Sequence, residues 1–326
     1  MSYFSVKNIV KSFGNTEVLH GVSFTMSNSK RVALVGKSGS GKTTILRIIA
    51  GLEIPNSGEV EIAGKKVNSS SDYTKPEDRH FGYVFQNHTL FPHLNILQNI
   101  TFGISDENKG RKKEIALDYL SMLGLESKLK NYPHELSGGE KQRISIIRTL
   151  AAKPKLLLLD EPFSNLDKST KEKLKEDLKS ILDKEQIPTI MITHDAEDSF
   201  DLADKVILLD GGKIAAEGNP EELYNKPINE HSANYFSEST ILERNDNQHF
   251  FEAINCNANR ICIPTNSVRF KEEGQPAKIT NKRFVGNGYL YEIECHGSVI
   301  KLYSQVSYDY EEINIEIDSG GIIVFE

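Results

Sequence analysis

The stretch RVALVGKSGSGKTTILRIIAGL, residues 31–52, sets a glycine-rich loop directly between a continuous apolar run and a helical one. No other stretch of the chain restricts the fold so strongly. An unbroken apolar run such as RVALVG suits a strand buried on both faces, the habit of parallel sheets flanked by helices. The loop runs Gly36, Lys37, Ser38, Gly39, Ser40, Gly41, Lys42, Thr43, with Thr44 following, and matches the pattern that cradles phosphates. Its glycines let backbone N–H groups converge on β- and γ-phosphates, and the helix start adds a favourable dipole. Lys42 is expected to neutralise phosphate charge, and the Thr43 hydroxyl suits Mg2+.

Two more apolar runs, KLLLLD at 155–160 and TIMITH at 189–194, also end at residues able to do chemistry. Open α/β sheets bind their ligands there, outside the carboxyl ends of the strands. Asp160 is expected in the magnesium shell, and Glu161 is expected to orient or deprotonate an attacking water. His194 is expected at the γ-phosphate edge, holding carboxylate and water in register. Gln86, in GYVFQ, is a neutral amide that can touch Mg2+ or water and release it, which suits a sensor better than a base. Phe13, in KSFG, is either an adenine-stacking ring or a core aromatic.

A second helix opens on glycines in LSGGEKQR at 136–143. Ser137 stands three residues before Glu140, a capping-box spacing that offsets the poor helix propensity of Gly138 and Gly139. Small residues there also let a polyanion approach exposed N–H groups. The following run, RISIIRTLAA, is expected to bury Ile144, Ile147 and Leu150 on one side. Because the loop at 36–43 already surrounds its own nucleotide, the expected partner of Ser137 is the γ-phosphate bound to another copy of the chain.

Residues 1–240 alternate apolar β runs with amphipathic helices, which predicts an α/β domain with a largely parallel sheet. Within it, a region of helical texture at about 87–152 reads as an inserted lobe, and NPEELY near 219 as one of the last helices of the core. From 241 to 326 the pattern changes to period two, in HFFEAIN, NRICIP, RFVGNGYLYEIEC, SVIKLYS, INIEI and GIIVFE. Gly286-Asn287-Gly288 and His296-Gly297 supply hairpin turns between these runs, and together they predict a small β-barrel of the oligonucleotide/oligosaccharide-binding type. The charge nevertheless argues against nucleic acid as a ligand: net charge is −7, and the region 241–326 holds 8 Lys and Arg against 13 Asp and Glu. The basic run KGRKK at 109–113 follows acidic SDEN and reads as a solvated loop. Cys256, Cys262 and Cys295 lack metal-ligand spacing and are expected to be reduced structural thiols. No apolar run approaches the ~18 residues that span a bilayer, and the first residues lack a secretory signal, so a cytoplasmic protein is expected.

Taken in order, GKSGSGKTT, Gln86, LSGGEKQR, LLLLDEP, SNLD and His194 resemble the ATPase subunits of ABC transporters, of the bacterial importer type with a C-terminal TOBE or OB-like domain. The resemblance implies a P-loop NTPase domain with a helical subdomain, using ATP and Mg2+. It implies a homodimer that sandwiches two ATP molecules, each between one chain's phosphate loop and the other's LSGGEKQR. Integral membrane permease subunits and, indirectly, a substrate-binding protein would be partners, with this chain peripheral on the inner face of the membrane. Asp167, in SNLD, would communicate across the dimer, and Phe13 would stack on adenine. The stretch GYVFQNHTLFPHLNILQNITFG is similar to ferric-iron importers and less so to those of sulfate, molybdate or polyamines. Its apolar residues Leu90, Phe91, Leu94 and Ile96 form either a docking patch for membrane subunits or core packing. Other readings are a soluble ABC-type ATPase of translation or DNA maintenance, which would carry two ATPase halves or long coiled coils, and a ligand-sensing regulator, which intact Glu161 and His194 oppose. Two departures stand out: Lys37 occupies a position where many relatives carry proline, and the β-rich tail is shorter than in sugar importers.

Overall fold

The computed structural model describes residues 3–27, 30–68, 73–86, 89–105, 108–164 and 166–325. By contact density the chain divides into two units, Met1–Pro220 and Glu221–Glu326.

The first unit is organised by a six-stranded sheet. Its spatial order is Lys213–Gly218, Lys205–Asp210, Arg31–Val35, Thr189–Ile192, Leu156–Asp160 and Phe81–Val84. Every neighbouring pair is parallel except the Lys213–Gly218 edge, which runs antiparallel. The three apolar runs therefore become three adjacent central strands. Leu156–Asp160 and Thr189–Ile192 are buried along their whole length, as strands covered on both faces must be. Since adjacent parallel strands end on the same side, the residues after Val35, Leu159 and Ile192 emerge together at one edge of the sheet.

A second, four-stranded antiparallel sheet, ordered Thr16–Met26, Phe4–Phe13, Ser57–Ile62 and Lys65–Asn68, lies outside the sequence expectation. Its apolar residues Phe4, Val6, Ile9, Leu19, Phe24 and Val60 share one core with Ile45, Leu46, Ile48 and Ile49 of the helix Lys42–Ala50. Each fully buried aliphatic or aromatic side chain there contributes about 1.5–3 kcal/mol. The core thus fixes the helix whose first residues form the glycine-rich loop. Its far end is held by Arg79, a buried guanidinium donating to the carbonyls of Ile48 and Ile49 at 3.2 and 2.7 Å.

The expected helical lobe is present as Ile96–Thr101, Lys109–Met122 and Gly138–Ala151, which pack on one another. Ile144, Ile147 and Leu150 are fully buried, on the side the spacing predicts. KGRKK starts the helix Lys109–Met122 rather than lying in a loop, with Asn108 as its N-cap; Asp106 and Glu107 lie outside the described residues.

In the second unit the strands are hydrogen-bonded as two antiparallel sheets. One is ordered Ser239–Glu243, Arg260–Pro264, Ile323–Phe325, the other Ser298–Ser304, Tyr289–Cys295, Val268–Phe284, Glu312–Ile317. His296 and Gly297 both take positive φ, 50° and 78°, in the two-residue connection that the sequence marks as a hairpin turn. One predicted strand is a helix: Gln248–Ala253 covers most of HFFEAIN. Phe250 and Phe251 are both fully buried, and adjacent buried rings fit one stripe of a helix but not one face of a strand. The helix of NPEELY, Pro220–Asn225, falls with this unit beyond its first residue, so contact density divides the chain ahead of the change of pattern near 240.

Candidate active site

The glycine-rich loop is built on backbone that only glycine adopts easily. Gly36, Gly39 and Gly41 have φ of 146°, 81° and 98°, in the left-handed half of conformational space. A Cβ on Gly36 would collide with the carbonyl oxygen of Leu209, so the loop is pressed against the neighbouring strand. Lys42 is buried, and its ammonium donates to the carbonyls of Gly36 and Lys37 at 2.8 and 2.9 Å. Burial lowers its pKa, against the attraction of Glu161 and Asp160 nearby. Lys37, Ser38 and Thr43 are exposed and Thr44 is half-buried. The buried Ser40 hydroxyl has no hydrogen-bond partner among the described residues. A loop with an orphaned hydroxyl, a buried lysine and a helix start behind it has the chemistry of a phosphate seat.

At the end of the next strand but one, Asp160 is buried and accepts a 2.8 Å hydrogen bond at Oδ2 from the Tyr83 hydroxyl. Burial pushes its carboxyl pKa up, with the Tyr83 bond acting the other way. Glu161 follows in left-handed backbone, φ 46°, held by its N–H donating to Ile192 O at 3.0 Å and by its carbonyl accepting from the Ser164 hydroxyl at 2.9 Å. Gln86 Nε2 donates to Glu161 Oε2 at 3.1 Å, and His194 Nδ1 lies 3.4 Å from the same oxygen. Three residues predicted from separate segments thus meet on one carboxylate. Behind His194, Lys171 pairs with Asp195 and Asp198, each at 2.6 Å, and the Thr193 hydroxyl donates to Asp198 at 3.1 Å.

Ser137 is the N-cap of Gly138–Ala151 with both halves of the capping box in place: Glu140 N–H donates to Ser137 Oγ at 3.3 Å, and Ser137 N–H donates to Glu140 Oε2 at 2.8 Å. The two glycines answer different demands. Gly139 is buried, and a Cβ there would run into Thr170 Cγ2, whereas Gly138 faces open space and leaves the helix start accessible. Among the described residues the hydrogen bonds of Ser137 run to Glu140 and none runs to Asp160 or Glu161. Asp167 caps its own helix, Lys168–Glu185, accepting from Thr170 N–H at 3.0 Å and Ser169 hydroxyl at 2.7 Å; hydrogen bonding from the Thr170 side chain, then from Ser169 and the Thr170 N–H, holds its carboxyl well below the usual range. Asn165 of SNLD lies outside the described residues. Phe13, at the end of its strand, is 49% exposed with Lys11 Nζ 4.9 Å from the ring centre; an exposed ring is free to stack and is not a core aromatic.

The apolar stretch after Gln86 divides. Leu90 and Ile96 are buried, Ile96 as the first residue of its helix, so those two belong to the core of the lobe. Phe91 and Leu94 are half-buried, and Phe102, not singled out in the sequence, is exposed and packs on Phe91 at 4.6 Å between ring centres. Asn87 and His88 lie outside the described residues. Sequence reasoning also passes over Tyr83, Gln142 and Thr170. For Tyr83 the signal was present, a hydroxyl-bearing aromatic between Phe81 and Phe85 at the end of a strand.

The family model described as ABC transporter matches residues 19–164. The chain is 38% identical over 243 residues to the sulfate/thiosulfate import ATP-binding protein CysA of Bradyrhizobium diazoefficiens, covering 73% of this chain and 70% of that protein. It is 38% identical over 243 residues to the Fe(3+) ions import ATP-binding protein FbpC of Pseudomonas fluorescens, covering 74% and 68%. Among solved structures, the dimeric post-hydrolysis state of an ATP-binding cassette bound to ADP and Pi is similar with a TM-score of 0.59 at 31% identity, covering 67% of this chain and 98% of that one. No helix among the described residues is long and apolar enough to cross a membrane.

Proposed function

The chain belongs to the ATP-binding subunits of ABC transporters, an ATPase family, and on that premise we propose that it energises substrate import through separate membrane subunits. The observation that carries this reading is the meeting of Gln86 and His194 on one oxygen of Glu161, beside Asp160 and within the field of Lys42. Lys42 and the N–H groups of the loop bind the phosphates, and Ser40 gains the acceptor that its buried hydroxyl needs. Thr43, Gln86 and Asp160 offer hard oxygen donors that would hold Mg2+, which supplies charge neutralisation on the phosphates. Glu161 orients the attacking water or takes its proton, with Gln86 and His194 fixing the carboxylate.

The site is read as shared between two copies because Ser137 caps a helix start that Gly138 leaves open, and because a similar ATP-binding cassette is dimeric. Ser137 and Gly138 complete the site on a second copy, facing the γ-phosphate there. ATP then draws the two lobes together and hydrolysis releases them. Asp167 stands at the start of the helix behind the signature and relays across that contact. The membrane subunits dock on Phe91, Leu94 and the exposed Phe102, which holds this chain at the inner face of the membrane, with a substrate-binding protein engaged only indirectly.

For the transported substrate we favour ferric iron, on the stretch from Gly82 to Gly103 and the likeness to a relative named for Fe(3+) import. Sulfate or thiosulfate is the second reading, because a relative named for it is equally identical, at 38%. Copurification from gently solubilised membranes, then reconstitution with the recovered subunits and a screen of ferric iron, sulfate, thiosulfate, molybdate and polyamines, decides between them. Iron-stimulated ATP hydrolysis supports the first reading, and sulfate stimulation replaces it. Recovery of ribosomes or DNA with no polytopic protein would overturn the importer reading itself.

A further inference from the structure

We propose that Tyr83 is a positioning residue for Asp160, its phenol engaging one carboxylate oxygen so that a single oxygen is left to the divalent cation of the nucleotide. This rests on the reading of Asp160 as a cation ligand. Tyr83 lies in Phe81–Val84, which pairs in parallel with Leu156–Asp160 so that Tyr83 is level with Leu158. From there its hydroxyl reaches Asp160 Oδ2 at 2.8 Å. The ring is held in place by Phe85, two residues on, at 4.3 Å between ring centres. A phenol is protonated at neutral pH and acts as the donor to a carboxylate oxygen.

The neighbouring segment repeats the device. Three residues after Tyr83, Gln86 donates to Glu161 Oε2, so one strand and its exit supply a donor to each of two consecutive carboxylates. A phenylalanine at 83 would fill the same space and leave Oδ2 unengaged. The difference bears on which cation fits. Mg2+ demands a near-ideal octahedron and takes one oxygen from a carboxylate, whereas Ca2+ accepts both. A carboxylate already engaged at one oxygen favours the first.

The test is titration calorimetry of ATP with the full-length chain in Mg2+, in Ca2+ and in EDTA, for wild type, Tyr83→Phe, Asp160→Asn and the double variant. Tyr83→Phe is expected to weaken the Mg2+-dependent part of binding about tenfold. It should narrow the preference for Mg2+ over Ca2+, leave binding in EDTA unchanged, and have no further effect once Asp160 is Asn. Tyr83→Leu, which lacks the donor as well, should give the same ratio between Mg2+ and EDTA. Wild-type Mg2+ dependence in Tyr83→Phe, with that dependence lost in Asp160→Asn, overturns the positioning role and leaves Asp160 as ligand. Full Mg2+ dependence in Asp160→Asn removes Asp160 from the cation and the proposal with it. An equal loss in EDTA and Mg2+, or an effect of Tyr83→Phe that persists in the Asp160→Asn background, also overturns it.

Discussion

The buried side-chain amide of Gln142 donates a 2.9 Å hydrogen bond to the carbonyl of Pro162, the residue after Glu161. Within one chain, then, the helix that starts at Gly138 and Gly139 is tied to the turn that carries Glu161. Gln142→Leu leaves that carbonyl without its buried donor, at a cost of about 1–3 kcal/mol. The urea midpoint should fall with an unchanged slope, and kcat should fall more than KM rises. Lowered stability with unaltered turnover would show that the bond serves the fold alone.

Glu161→Gln keeps the size of the side chain and removes the carboxylate proposed as base. Binding of ATP should survive, while hydrolysis falls by about a hundredfold or more, the usual share of general-base assistance. With ATP and Mg2+ present, the variant should elute as a dimer on size exclusion. Near-normal turnover would take the base role away from Glu161.

Ser137→Arg places a long cation at a helix start that Gly138 keeps open. Losing the cap costs about 1 kcal/mol, too little to unfold the chain. Hydrolysis should vanish, and nucleotide binding to the isolated chain should stay within about twofold, since that is less than 1 kcal/mol. Measurable hydrolysis at wild-type rate would contradict a site shared between copies.

Thiol chemistry checks the second unit independently. Cys262 and Cys295 are buried, and burial pushes the Cys295 thiol up to about 11 and raises that of Cys262 as well. The reactive species is the thiolate. At pH 8 an aromatic disulfide reagent should therefore label only Cys256 in the native chain, and all three cysteines in denaturant. Rapid native labelling of more than one would mean that this unit opens readily.

Short motifs at strand ends made the site legible in the sequence. The loop at 36–43, Asp160, Glu161 and His194 each follow an apolar run, and parallel pairing brings such ends together without further information. What stayed hidden depends on register and on neighbours distant in the chain. The bond from Tyr83 to Asp160 needs the offset between two strands. The reason for Gly139 is the methyl group of Thr170, on another helix. The antiparallel sheet at the start of the chain is masked by register shifts around Ile9 and by Asn8 at φ 48°, which break the alternation that would announce it. In HFFEAIN the two adjacent rings suit a helix, a preference that only the packing around them reveals.

Glu161 sits where an L-residue costs roughly 1–2 kcal/mol and glycine almost nothing. Breeding this protein for heat tolerance alone would therefore push position 161 toward glycine, and the hardiest descendants would be those that no longer burn fuel. Durability and work pull in opposite directions at that one turn.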